Sequence, residues 1–411
     1  MRLPALLLTS ALLAGTAVLG VARLQKPELR GQEAAPAAAA PAQPETPFIP
    51  AVAPAPESAA TPAEETPAPS PVPSPEPQAP TPAPPAPAPI LPASASITGI
   101  RHEYQRLNNC GPVTVGMALS RWGGKLDQYD IAPRLKANRG DVNVSPEELA
   151  SFARSQGMNV HLATNGDRPM LKRLLAAGFP VIVETWFITH DSGGMGHYRL
   201  LTGYDDAAQD FRALDSYMGP LKMPYGQFDE LWRSFGRTFL VVLPPERQEE
   251  VRELLGSRAD KATGQREALR VALAEAERRN DAVGWLNVGN AKLALGDAKG
   301  AARAFDQAFA AQPDLTLDPT RPARVVGGLP WRTLWYSFGP LEAYIRTGRY
   351  ADVLRLTRAV LRDAPAHEEA LYWRGRALAG LGRAAEAKSA YREALRLRPS
   401  YASARAALDG L

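Results

Sequence analysis

The sequence predicts an α+β domain followed by an all-α repeat solenoid, both behind a disordered Pro/Ala-rich N-terminal linker. Three observations predict it. Residues 1–96 hold one aromatic, Phe48, of the 30 in the 411-residue chain, and 21 of the 39 prolines fall between Ala34 and Ala95, so that stretch has nothing to bury. From residue 100 to about 245, helical patterns come first and strand patterns afterwards. Towards the C-terminus Pro365 and Pro399 are 34 apart, as are Gly348 and Gly382. The net charge of +4, from 47 basic against 43 acidic residues, does not make a nucleic-acid-binding stripe, so no nucleic acid is expected as partner. One cysteine, Cys110, rules out an intramolecular disulfide framework and any zinc site built on several thiolates.

Met1-Arg2 precedes an uncharged, Leu- and Ala-rich stretch at residues 3–22, the pattern of an export signal, with Gly20-Val21-Ala22 as a small-x-small cleavage site. About 20 apolar residues also suffice to cross a bilayer, so membrane anchoring through residues 3–22 is the alternative to cleavage. Either way the expected location is extracytoplasmic: secreted, periplasmic or held at the cell envelope. Residues 23–96 then read as a spacer, because proline removes backbone donors and favours extended polyproline II.

Residues 97–247 carry the chemistry. Val115, Ala118, Leu119 and Trp122 recur at helical spacing. Ser145-Pro146-Glu147-Glu148 is a helix start, and that helix runs through Ser155 to Gly157. Residues 170–177 predict another short helix, closed by Gly178. Strands are predicted at residues 180–186, 198–204, 211–215 and 238–243 from their β-branched and aromatic content. Cys110-Gly111-Pro112 places the thiol at the mouth of the first helix, where unsatisfied N–H groups and the helix dipole favour a thiolate. Gln105, five residues upstream, could turn its amide to the same spot as an oxyanion donor. By position alone, a buried structural cysteine competes with a nucleophile.

Of the five histidines, His367 lies in the repeats, and His102, His161 and His190 have no distinctive context. His197 is different: Gly194-Met195-Gly196 delivers it to the start of a strand, giving a base the fixed geometry that proton transfer needs. Asp215, ending another strand, can orient the imidazole. The rival acids Asp205 and Asp206 sit before Ala207-Ala208 in a hairpin turn.

Cys110-Gly111-Pro112, Gly196-His197-Tyr198 with Gly203-Tyr204-Asp205, and Asp215-Ser216-Tyr217-Met218-Gly219-Pro220 resemble the bacteriocin-processing cysteine peptidases of bacteria, and more closely their stand-alone exported relatives in the papain-like clan. The likeness spans about residues 100–245. It implies an α+β papain-like peptidase domain, with Cys110 as nucleophile, His197 as base, Asp215 as orienter and Gln105 as oxyanion donor. Papain-like enzymes commonly place that glutamine six residues before the nucleophile; here it is five. No metal or organic cofactor is implied. No transporter pattern follows, so the double-glycine leader specificity of the classical members is not carried over.

Residues 282–411 fit the tetratricopeptide pattern. Trp285, Gly289, Gly296, Ala301, Phe305, Ala308 and Pro313 make one unit, and Gly375, Leu378, Gly382, Ala387, Tyr391, Ala394 and Pro399 another. Between them Tyr344, Gly348, Val353, Val360 and Pro365 make a third, with Thr357 in place of an aromatic. Pro313 and Pro365 are 52 apart, one period plus an 18-residue insertion around residues 321–331. Residues 248–281 read as a helical connector that docks the array onto the peptidase domain. The expectation is therefore an exported cysteine peptidase acting on a peptide or protein substrate, with a further protein partner in the repeat groove. The alternatives are a non-catalytic envelope scaffold, or a transpeptidase or amidase using the same triad. Recruitment by the repeats would let residues 282–411 be removed without loss on a short generic peptide. Arg355, Arg358, Arg374, Arg376, Arg392, Arg396 and Arg398 would favour acidic partners if they face the groove, and otherwise form a solvated face.

Overall fold

A computed structural model describes residues 91–138, 140–189, 193–317 and 327–411. The export signal, the linker up to residue 90 and His190 lie outside these residues. Membrane anchoring through residues 3–22 is corrected here. No helix among the described residues is long and apolar enough to cross a membrane, residues 3–22 are not among them, and the anchor is withdrawn.

Among the described residues the first domain is a seven-stranded antiparallel sheet. Its strands are β1 (Ser94–Ser96), β2 (Asn159–Ala163), β3 (Val181–Thr189), β4 (Gly193–Asp205), β5 (Asp210–Asp215), β6 (Gly219–Pro224) and β7 (Phe239–Leu243). They lie in the order β2-β7-β3-β4-β5-β6, with β1 also paired to β4. The sequence reading missed β1, β2 and β6. Strand β6 carries Pro220 and Pro224, which an outer strand tolerates because it needs only one row of ladder bonds. The turn expected at Asp205 is there, its carboxylate accepting from the Ala207 and Ala208 amides.

Helices cover both sheet faces. Val181, Val183, Leu201, Phe239 and Val241 pack on one side against α4 (Arg168–Ala176), α5 (Tyr225–Arg233) and α6 (Gln248–Leu255). Ile182, Leu200, Leu240 and Val242 pack on the other against α1 (Cys110–Ser120), α2 (Gln128–Leu135) and α3 (Pro146–Ser155). Consecutive strand residues point to opposite faces, so burial on both sides makes β3 and β7 continuous apolar runs. Helix α3 begins as expected, with Ser145 and Glu148 in a reciprocal capping box and Pro146 in the first turn. Helix α1 is buried from Gly111 to Leu119, and that full burial anchors its first residue, Cys110.

The connector is helical, and α7 (Lys261–Arg279) docks on the first domain through charge. Glu275 takes Arg233 at 2.7 Å and Arg237 at 2.8 Å, while Asp281 takes Arg233 at 2.8 Å. The repeats follow as α8 (Ala282–Ala294) with α9 (Ala298–Ala310), α10 (Gly339–Arg346) with α11 (Tyr350–Asp363), α12 (Glu368–Gly380) with α13 (Ala384–Leu397), and α14 (Ala402–Asp409). A side chain at Gly289 would run into the Phe305 ring, and one at Gly375 into Tyr391, so glycine permits the close helix approach that the aromatic fills. In the middle repeat the fully buried Thr357 fills that place and turns its hydroxyl to the Val353 carbonyl at 2.8 Å. Several arginines of the array are engaged locally: Arg355 with Asp352, Arg396 with Glu393, and Arg376 with the Tyr372 hydroxyl. Arg358, Arg374 and Arg392 are exposed. These are the features of a solvated face.

The array also returns to the first domain at its far end. Arg398 pairs with Glu148 of α3 and lies 3.8 Å from Glu368 and 3.7 Å from Glu369. Burial, then the neighbouring Glu369 and Asp141, push the Glu368 carboxyl up to about 8. A carboxyl whose value is raised on folding stabilises fully below its unfolded value of about 4.3 and loses that contribution as pH rises through the folded value. Thermal melts are therefore expected to give a lower Tm at pH 8.5 than at pH 5.5. Glu368→Gln should raise the Tm at pH 8.5 by several degrees and change it little at pH 5.5; an equal Tm for both proteins at pH 8.5 would sink this assignment.

Candidate active site

The loop before α1 is held by Gln128, whose Oε1 accepts from the Arg106 amide at 2.7 Å and from Asn109 Nδ2 at 2.9 Å. Asn109 precedes α1 and makes no side-chain cap, so the opening turn keeps N–H groups directed beyond the helix. Cys110 is its first residue and is half-buried.

His197 and Asp215 come together through strand register. Arg199 pairs with Asp215 across β4 and β5, and His197 precedes Arg199 by two, so all three share one face of the sheet. His197 Nε2 meets Asp215 Oδ2 at 3.1 Å, and Arg199 Nε donates to the same oxygen at 2.9 Å. Asp215 Oδ1 accepts from the Tyr217 and Met218 amides at 2.7 and 2.9 Å. Asp215 is fully buried. Burial raises its carboxyl, but the imidazole, the Arg199 guanidinium and the Met218 amide outweigh it and hold the group well below the usual carboxylate range.

With Nε2 on Asp215, the other imidazole nitrogen is left for the thiol. Burial lowers the His197 value, yet hydrogen bonding to Asp215 and to Cys110 raises it overall. Burial raises the Cys110 value, yet the hydrogen bond and charge of His197, with the Tyr198 and Gly111 backbone, bring it below the ordinary thiol. The two shifts point toward each other, and each favours the thiolate–imidazolium form of the pair over the neutral one. An iodoacetamide rate-versus-pH titration should give an apparent thiol pKa below the free-cysteine value of about 8.5. His197→Ala should move it upward, since both the donor and the positive charge are gone.

Gln105 lines one cavity together with Cys110 and His197. Its backbone N–H donates to the Ser216 carbonyl at 2.7 Å, and its Oε1 accepts from the Ser216 hydroxyl at 2.7 Å. Its carbonyl end is thereby engaged, which leaves its NH2 end as the donor.

Several participants went unnoticed in the sequence. Arg199 was legible, being two residues beyond His197 on a strand. His102 was passed over, and its Nε2 bonds the Asp215 carbonyl at 2.9 Å. The cavity, about 170 Å³, is also lined by Glu184 of β3 and by Arg332, Trp335 and Tyr336 from the insertion between α9 and α10. Trp186 Nε1 donates to the Leu317 carbonyl at 2.6 Å, and Arg332 to the Gly194 carbonyl at 3.0 Å. A side chain at Gly194 would collide with Trp186 and Leu317, which explains the glycine-rich approach to His197. His367, assigned to the repeats, caps α12 and reaches the Trp335 carbonyl at 3.1 Å. His161 lies on β2 beside Phe239, away from the site.

Residues 97–239 match the family model described as Peptidase_C39 like family, and residues 368–401 match the tetratricopeptide repeat model. The chain carries a C39-like peptidase domain fused to a C-terminal tetratricopeptide domain. Among solved structures, the C39-like part is similar to a double glycine motif protease from an AMS/PCAT transporter in complex with the leader peptide: 18% identity over 36% of this chain and 94% of that one, TM-score 0.29. It is also similar to the peptidase domain of Streptococcus ComA, a bi-functional ABC transporter involved in a quorum sensing pathway: 14% identity over 36% and 99%, TM-score 0.30. A further similar structure is MamA from Desulfovibrio magneticus RS-1, with 25% identity over 35% and 72% and TM-score 0.27. No curated protein matches the chain.

Proposed function

We propose that this protein is a cysteine peptidase in which Cys110 is the nucleophile, His197 the general base and acid, and Asp215 the residue that orients and charges the imidazole. The observation that carries this reading is one cavity lined by a thiol with a lowered pKa and an imidazole with a raised one, with the Asp215 carboxylate 3.1 Å from that imidazole. The thiolate adds to a peptide carbonyl carbon, and the negative oxygen is held by the N–H groups opening α1 and by the Gln105 amide. His197 then gives its proton to the departing amine as the C–N bond breaks, leaving a thioester. The neutral imidazole takes a proton from water, the hydroxide adds to the thioester, and collapse returns the carboxylic product and the thiol. The start of the chain, residues 1–22, supports export as the setting, and the tetratricopeptide module supports a protein or peptide partner.

The test is mass spectrometry of products from a peptide library incubated with the full chain and with Cys110→Ala. Defined cleavage products that vanish in the variant support the reading. Identical product lists from the two proteins would leave the domain a binding scaffold.

A further inference from the structure

Glu184 has no role in the chemistry above, yet its position is unusual. It stands on β3 opposite Tyr198 and is 5% exposed. Among the described residues, no hydrogen bond or ion pair is made by its carboxyl. It lines the cavity that holds Cys110 and His197, and also a second cavity of about 290 Å³ between the C39-like domain and helices α7 and α8. Tyr336 likewise borders both, so the two spaces meet beside the thiol.

The second cavity is acidic at that junction. Glu147 lines it beside Glu184, and among the described residues it too makes no ion pair. The other lining charges answer one another: Glu275 takes Arg237 at 2.8 Å, and Arg237 also takes Asp229 at 2.7 Å. Arg332, in the first cavity, is turned to the Gly194 carbonyl and stacks on Trp331 with 4.3 Å to the ring centre. The remaining wall includes Ala268, Ala272, Ala291 and Phe338, a surface suited to an aliphatic stem.

A buried carboxyl without a partner costs free energy, which is relieved by protonation or by an arriving cation. Burial, then Glu147 and the Cys110 thiolate, hold Glu184 well above the usual carboxylate range. A lysine or arginine side chain suits both parts of the space, with its methylenes along the alanines and its cation between Glu184 and Glu147.

We propose that the second cavity is a subsite for a basic side chain, lysine or arginine, next to the scissile bond, and that Glu184 is its specificity-determining residue. This rests on the peptidase reading above. It assigns the insertion between the repeats, through Tyr336 and Phe338, part of the wall that a substrate side chain meets.

The experiment uses the full chain and matched peptides carrying lysine, acetyl-lysine or norleucine at each position flanking the bond that is cut. The expected result is a kcat/KM for lysine about 30-fold or more above that for norleucine and acetyl-lysine, as for loss of one partner of a buried charge pair. In Glu184→Gln that ratio should fall to within about threefold of unity. A wild-type ratio near one overturns the proposal, and this arm needs no variant that must fold. A ratio that survives Glu184→Gln overturns it as well. If no peptide is cleaved, the peptidase reading fails separately, and fluorescence anisotropy of the same peptides on Cys110→Ala decides: lysine-selective binding that requires Glu184 supports the subsite, and equal binding refutes it.

Discussion

Asp215→Asn is expected to lower kcat/KM by about a hundredfold or more and to destabilise the fold as well. On the proposed mechanism the loss of activity follows because a neutral amide neither charges the imidazole nor fixes its tautomer. The loss of stability follows from Arg199, whose side chain is 5% exposed and whose guanidinium bonds the same carboxylate oxygen as His197. Removing one partner of a buried ion pair leaves the other uncompensated, at a cost of about 3–5 kcal/mol. Kinetics on a cleavable peptide and a chemical melt measure the two effects on one sample. Asp205→Asn is the control, since its partner Arg212 is 38% exposed and an exposed pair contributes about 1 kcal/mol or less. If Asp205→Asn abolishes turnover while Asp215→Asn does not, the assignment of the orienting acid is wrong.

The second large effect concerns removal of residues 282–411. A module that only recruits substrate would leave cleavage of a short peptide untouched when removed, and that was the expectation from the sequence. The structure argues the reverse. Arg332, Trp335 and Tyr336 form one side of the cavity that holds the thiol, and Leu317 and Arg332 bond the strands leading to His197. Trp186, Val283 and Leu317 form a shared apolar cluster that truncation would open to water. The truncated protein is expected to lose at least tenfold in kcat/KM even on a short peptide, because misplaced walls degrade the geometry of the reacting groups. It should also show exposed apolar surface by dye binding. Equal kcat/KM for the two proteins on a short peptide would restore the reading of the repeats as a recruiting module alone.

Local signals in the sequence were sufficient where one element decided the matter. The thiol at a helix start, the capping box at Ser145, the buried strand containing Val181-Ile182-Val183 and the glycine–aromatic pairs of the repeats each depend on periodicity or backbone chemistry within a few residues. Asp215 was legible from its strand end and the turn after it, and His197 from its flanking glycines. His197 lies four residues inside β4, not at the strand start the sequence suggested, because Gly194, Met195 and Gly196 already pair with β3. Strand β2 was missed because its polar–apolar alternation, Asn159-Val160-His161-Leu162, is only four residues long, too short to announce an outer strand whose five positions are all half-buried. Strand β6 was obscured by its two prolines.

By itself the sequence determined the order of domains, the type of each, the 34-residue repeat and the residue types available for thiol chemistry. Only the tertiary structure decided which residues surround the thiol. Arg199 shares a carboxylate with His197, Gln105 is turned by Ser216, and Tyr336 arrives from an insertion more than 200 residues away in the chain. Periodicity reports which face of an element is buried, not which distant element covers it. The cavity is bounded by a sheet, a helix start and a repeat insertion that meet only when apolar surfaces far apart in the chain pack together.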